Sequence, residues 1–238
     1  MRKSVTGAAG SRTRRALPAV AVSLALAVLV GCQYGLLQPA HNLGEGRYVF
    51  RGGLWLPAFL DPDDRKQAEE TRQDYLEVFP GGSFMIGATD RIDLGFSFMS
   101  YGLGPQFRIG ALPPEDPLAL CGMLDVNYVI PVKVISPRLS LMAGRKLGYR
   151  FEVYGGYQVG YGPDLANLPE LPDSDETDWD SVENDSFHGI TIGCYYEIKT
   201  EEEGEGYGWL VPEAIAIEFT MPLGFERPVI ITGLGVTY

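Results

Sequence analysis

The feature that most constrains this chain is a period of two in its side-chain chemistry. From Tyr149, the odd positions run Tyr149, Phe151, Val153, Gly155, Tyr157, Val159 and Tyr161. Between them lie Arg150, Glu152, Tyr154, Gly156, Gln158 and Gly160. Successive side chains of a strand point to opposite faces, so this is a strand with one apolar face and one polar, glycine-rich face. The pattern recurs in Ile92–Phe98, Leu118–Tyr128, Ile190–Ile198, Ile215–Met221 and Ile230–Tyr238. In Leu118–Tyr128 the polar face carries Asp125 and Asn127.

Read this way, the sequence predicts ten strands, at 47–56, 75–88, 92–100, 103–111, 118–129, 138–144, 149–161, 187–199, 213–221 and 229–238. Eight is the alternative count. The fold class is all-β: an antiparallel up-and-down barrel of the transmembrane type. Several strands have the length that crosses a bilayer at a tilt. Thr89-Asp90-Arg91 and Phe225-Glu226-Arg227-Pro228 are read as tight connections. Asp61-Pro62 with Gln67-Ala68-Glu69-Glu70 predicts a short capped helix inside a long connection. With an even strand count both ends lie on one side. The two longest connections, 57–74 and 162–186, then fall on the other side, where barrel loops are usually long.

Alternation does not say which face looks out. A soluble lipocalin-like barrel turns its apolar face inward, and a membrane barrel turns it outward. Three features favour the second arrangement, glycine first. Gly95, Gly156, Gly193, Gly233 and Gly235 sit on the polar face, where a narrow lumen needs small residues and a water-facing exterior would be weakened by them. Tyr149, Tyr161, Tyr196 and Tyr238 stand near strand ends on the apolar face, as interfacial girdles require. Arg51, Arg108 and Arg150 share the polar face with Asp93, Asp125, Glu152, Glu197 and Glu218, a mixture suited to pairing across a small lumen.

The amino-terminal segment is read as an address rather than as fold. Arg2, Lys3, Arg12, Arg14 and Arg15 precede an apolar run from Ala16 to Val30. That run is too short for a spanning helix and suits a cleavable export signal. Leu29-Val30-Gly31-Cys32 resembles the lipobox of bacterial lipoproteins, which implies that Cys32 is lipidated and begins the mature chain. Gln33 after it is compatible, by the same resemblance, with sorting to the outer membrane. Thr89-Asp90-Arg91-Ile92-Asp93-Leu94-Gly95 is similar to the hairpins of bacterial outer-membrane β-barrels. Gly233-Leu234-Gly235-Val236-Thr237-Tyr238 resembles their last strand, whose terminal aromatic residue is read by the barrel-insertion machinery. The family usually carries Phe where this chain has Tyr238. The resemblance thus implies an outer-membrane β-barrel lipoprotein, with a signal peptide over 1–31, a tether over 32–46 and the barrel over 47–238. Membrane lipid is its expected partner, through acylated Cys32 and the barrel exterior.

The function classes narrow accordingly. Residues 1–31 hold five basic residues and no acid, which leaves 14 basic and 31 acidic residues in the rest. Such an excess argues against nucleic acid as a partner. The connection from Pro163 to Ser186 carries nine acids and no Lys or Arg. Its run Asp173-x-Asp175-x-x-Asp178-x-Asp180 lacks the glycine and distal Glu of an EF-hand, so it is read as a solvated loop, with bridging by divalent cations as the alternative. Glu201-Glu202-Glu203-Gly204-Glu205 reads the same way. Ser186, His188 and Glu197 invite a hydrolase triad, but the register puts the first two on the lipid face and Glu197 inside. Cys121 and Cys194 fall on opposite faces and are not expected to pair. No catalytic, cofactor-binding or metal-ligating residue is assigned. The expected role is structural, adhesive or limited solute passage, with a periplasm-facing barrel for an apolar ligand, or a lipid-modifying hydrolase, as alternatives.

Overall fold

A computed structural model describes residues 36–61, 79–99, 102–130, 133–163, 184–198, 212–223 and 229–238. Alternating sequences become strands here because each can bury one face and show the other. They are β1 (Tyr48–Phe59), β2 (Phe79–Thr89), β3 (Ile92–Met99), β4 (Gly102–Gly110), β5 (Leu118–Val129), β6 (Val134–Lys146), β7 (Phe151–Pro163), β8 (Asn184–Glu197), β9 (Ala214–Leu223) and β10 (Val229–Thr237). There is no helix among the described residues. The helix read near 61–70, apart from Asp61, and the turn at 225–228 lie outside them, as do most of the acidic connection and the stretch 201–205.

Each strand pairs antiparallel with its chain neighbour, and β1 pairs with β10, so the sheet closes as an up-and-down barrel. Closure leaves no free sheet edge. The seam continues past the last strand: Phe50 and Tyr238 exchange backbone hydrogen bonds of 3.0 and 2.8 Å. Thr89 shapes the β2–β3 turn, its hydroxyl accepting from the amides of Arg91 and Ile92 at 3.2 and 3.1 Å. The β1 start and the β10 end share one rim, here the near rim. The β2–β3, β4–β5, β6–β7 and β8–β9 connections lie there, and the other five lie at the far rim.

The faces are sorted as expected. Along β9, Ala214, Ala216, Glu218 and Thr220 are buried while Ile215, Ile217, Phe219 and Met221 are exposed. The exterior is therefore an apolar belt, with Tyr149, Tyr161, Tyr196 and Tyr238 all exposed near the strand ends. Cys121 is buried and inward, Cys194 shares the outward face, and both are free.

Two residues depart from the expected lumen set. Arg150 precedes β7, which starts at Phe151 rather than Tyr149. Its guanidinium lies over the Tyr149 ring at 5.2 Å and reaches the Ile198 carbonyl at 3.4 Å, so it belongs to the near rim. Glu197, the last residue of β8, is likewise only half-buried at that rim.

Candidate functional site: the occupied lumen

The inward face of a barrel this narrow must fill its own axis. Part of the filling is ionic. Arg108 and Asp93, at adjacent positions of β4 and β3, form an ion pair of 2.6 Å with both side chains fully buried. Arg138 of β6 holds Asp125 of β5 at 3.0 Å, and Gln106 donates to the same carboxylate at 2.6 Å. Arg138 was not singled out from the sequence, because Ser136-Pro137 interrupts the pattern where β6 begins. A desolvated charge needs such partners, since an unpaired one is strongly unfavourable.

The rest of the filling comes from the stretch read as a tether. Of residues 32–46, the described part begins at Leu36, and Leu36 to Asn42 lie buried inside the barrel. The wall holds this segment through its backbone. Glu218 accepts from the amides of Leu36 and Leu37 at 2.7 and 2.8 Å. The Tyr154 hydroxyl donates to the same carboxylate at 3.0 Å, and the Thr220 hydroxyl at 3.3 Å. Glu152 accepts from the Ala40 amide at 2.7 Å and meets His41 Nδ1 at 2.7 Å. His41 Nε2 donates to the Asp116 carbonyl at 2.8 Å. Arg108 donates to the Pro39 carbonyl at 2.9 Å, and Arg51 to Gln38 Oε1 at 3.3 Å. Asn42 donates to Asp93 at 3.0 Å.

Apolar contacts seat the same segment. Leu36 and Ala40 join Cys121, Met123, Met142 and Tyr154 in one buried cluster. Leu37, at a positive φ of 45°, joins Trp55, Phe187, Ala216 and Ile231 in another.

The inward glycines explain how a strand-lined lumen of this size admits a second chain. A Cβ at Gly144 would stand 2.8 Å from Ala40 Cβ, and one at Gly233 would stand 2.9 Å from Leu37 Cδ2. At Gly53 it would collide with Leu37, and at Gly110 with the Asn42 amide. The wall is notched where the segment lies. Polar-face glycine was the sequence signal for this arrangement, but it indicated only a narrow lumen and not what occupies it.

The residues weighed for hydrolysis do not converge. Ser186 and His188 face outward, and His188 Nδ1 meets the Tyr157 hydroxyl at 3.0 Å on the exterior. Glu197 lies on the alternate face at the end of β8. Among the described residues, no group of three or more His, Cys, Asp or Glu is placed to hold a metal ion.

No family model and no curated protein sequence matches this chain. Among solved structures it is similar to the N-terminal β-barrel domain of OprF from Pseudomonas aeruginosa, at 13% identity and a TM-score of 0.33, over 81% of this chain and 98% of that one. The outer membrane protein OprG from Pseudomonas aeruginosa is similar at 12% identity and a TM-score of 0.32, over 84% of this chain and 99% of that one.

Proposed function

We propose that this chain is a non-enzymatic outer-membrane β-barrel lipoprotein, held by its wall and by an acylated Cys32, with a structural, adhesive or restricted-passage role. One observation carries the reading: the barrel turns aliphatic and aromatic side chains outward and ionic pairs inward. Ile217 is 38% exposed on the outer face while its neighbour Glu218 is 0% exposed on the inner one. In water that arrangement wastes the apolar surface and buries the charge. In a bilayer it satisfies both, because lipid cannot hydrogen-bond and the lumen can. The lipobox-like Leu29-Val30-Gly31-Cys32 supports a lipid anchor, and the aromatic residues near both rims suit headgroup depth.

The two alternatives fare worse. A binder of apolar ligands needs a free apolar interior, whereas here the interior carries buried ion pairs and its apolar clusters are already covered by Leu36, Leu37 and Ala40. A hydrolase built on Ser186, His188 and Glu197 would need three groups on opposite faces to meet. The decisive experiment separates the wall from the lipid. A Cys32→Ala chain carrying an ordinary signal-peptidase site is expected to stay in the membrane fraction through alkaline carbonate washing. It should also migrate anomalously in SDS when unboiled. Release into the soluble fraction would defeat the membrane-barrel reading.

A further inference from the structure

We infer that the lumen segment is latched at the near rim by one shared proton, held between His41 and Glu152, and that rising pH opens the latch. His41 is buried where the segment leaves the lumen for β1. Glu152 is one residue inside β7, and Asp116, the other partner of the ring, lies in the near-rim β4–β5 connection. The compartment at the near rim therefore sets the state of the pair. All of these groups lie inside the wall or at its rim, so the latch goes beyond the membrane-barrel reading and does not depend on it.

The proton is required by the two acceptors around the ring. His41 Nε2 lies 2.8 Å from the Asp116 carbonyl, and Nδ1 lies 2.7 Å from Glu152 Oε2, both at hydrogen-bond length. A carbonyl oxygen can only accept, so Nε2 carries its hydrogen. A neutral imidazole then has a bare lone pair at Nδ1. An ionised carboxylate brings only lone pairs to the same contact, and two bare acceptors at 2.7 Å repel. The other tautomer merely moves the conflict to Nε2 and the carbonyl. His41 and Glu152 are 6% and 4% exposed, so bulk water does not screen it. The contact is therefore made by a proton, carried on the ring or on the carboxyl group. When that proton leaves, the pair parts. The Ala40 amide, which donates to the same carboxylate at 2.7 Å, is the next contact to loosen. Leu36 and Leu37 hang on Glu218 instead and stay. The latched geometry contains the proton and the released one does not need it. Acid thus favours the latch and alkali the release, by at most about tenfold per pH unit for one proton.

Among the described contacts of the segment, no other has this property. Arg108 at Pro39 and Arg51 at Gln38 hold with guanidinium groups, which keep their charge near neutral pH. Asp93, which takes the Asn42 amide group, is paired with Arg108. Glu218 receives four donors and needs no proton of its own. The groups around the pair do not replace the proton either. Lys146 of β6 stands opposite Glu152 in register, but its ammonium lies on the Pro114 carbonyl at 3.0 Å. Asp116 turns its own carboxylate to the Leu118 amide at 2.8 Å. Glu197 of β8 adds negative charge beside Glu152 and is itself balanced by Lys146, Arg47 and Arg150. From β5 and β7 the pair is faced by the Cys121 thiol and the Tyr154 hydroxyl, the second already given to Glu218. The other histidine, His188, faces outward against the Tyr157 hydroxyl, which can donate to a bare nitrogen.

Nuclear magnetic resonance of the full chain in lipid nanodiscs tests the latch. Ring nitrogens of isotope-labelled histidine and backbone amide exchange are followed from about pH 5 to about pH 9, across the range in which histidine ordinarily changes charge. Amide protection is corrected for the intrinsic exchange rate at each pH, and His188→Gln identifies the His41 signals. With rising pH, His41 Nδ1 is expected to pass from hydrogen-bonded to bare. Ala40 protection should fall with it by about tenfold or more, while Leu36 and Leu37 keep theirs. In Glu152→Gln the carboxamide can give an N–H to a bare Nδ1 and keep its oxygen for Ala40, so Ala40 should stay protected throughout. Should Glu152→Gln fail to fold, His41→Gln takes its place, because it also removes the titrating pair and its Ala40 profile should be flat. A flat Ala40 profile in the parent overturns the latch. So does the same pH step surviving in either variant.

Discussion

Glu218 is the residue on which the lumen segment hangs. Its carboxylate receives two backbone amides, Leu36 and Leu37, and two hydroxyls, Tyr154 and Thr220. Glu218→Ala would leave two amides without their acceptor. A buried donor stripped of its partner costs about 1–3 kcal/mol, and water entering the polar lumen would keep the total near the low end. Urea unfolding in lipid vesicles should show that loss, together with new protease cleavage near Leu36. Glu218→Gln keeps one carbonyl acceptor and should cost less. If Glu218→Ala unfolds like the parent and remains uncut, Glu218 does not hold the segment. Gly144 supplies an independent check, since a side chain there meets Ala40 Cβ and the Glu152 carboxylate. Gly144→Val is expected to expel residues near Ala40, at about 1–3 kcal/mol of overpacking. The barrel should remain heat-modifiable while the segment becomes cleavable. An uncut segment in Gly144→Val would mean that the notch is not needed.

At the scale of the strand, period two makes one substitution costly on one face and mild at its end. Ile217 is central on the outer face of β9, so Ile217→Arg should destabilise the inserted barrel by about 2–4 kcal/mol, against about 0–1 for Tyr149→Arg at the rim. Unfolding in vesicles of defined thickness measures both. Equal costs at the two positions would refute a bilayer around the belt. The same periodicity is why the elements were legible. The predicted 118–129 coincides with β5, and 229–238 differs from β10 by one residue. Legibility failed where alternation is interrupted. Ser136-Pro137 hid the first four residues of β6, Val134 to Pro137, and left Arg138 at the edge of the predicted strand with no alternation before it to mark its face. The site was less visible than the fold. Leu36-Leu37-Gln38-Pro39-Ala40-His41-Asn42 has no period, and its partners lie as far as 182 residues away. Nothing local in those seven residues announces a lumen, and only the surplus of inward glycine pointed to a space needing a small-residue wall.

For the whole molecule, the question is what closes the axis. Ten strands leave a lumen that side chains and one extended segment can fill. The parent protein should therefore show no large, porin-like steps in a planar bilayer. Deleting residues 36–42 removes the axial occupant but leaves Arg108–Asp93 and Arg138–Asp125 in place. The expected result is a small conductance, well short of a wide pore. Its selectivity follows from the charges left on the described wall. Arg51, Arg108 and Arg138 face Asp93, Asp125, Glu152 and Glu218, one more acid than base once His41 is gone. A narrow, low-dielectric passage amplifies such an excess, so a salt gradient should give a reversal potential of the sign for cations. Large steps in the parent would show that the segment does not seal the barrel. Silence in the deletion would show that the wall side chains close it alone, and that the segment contributes only to stability.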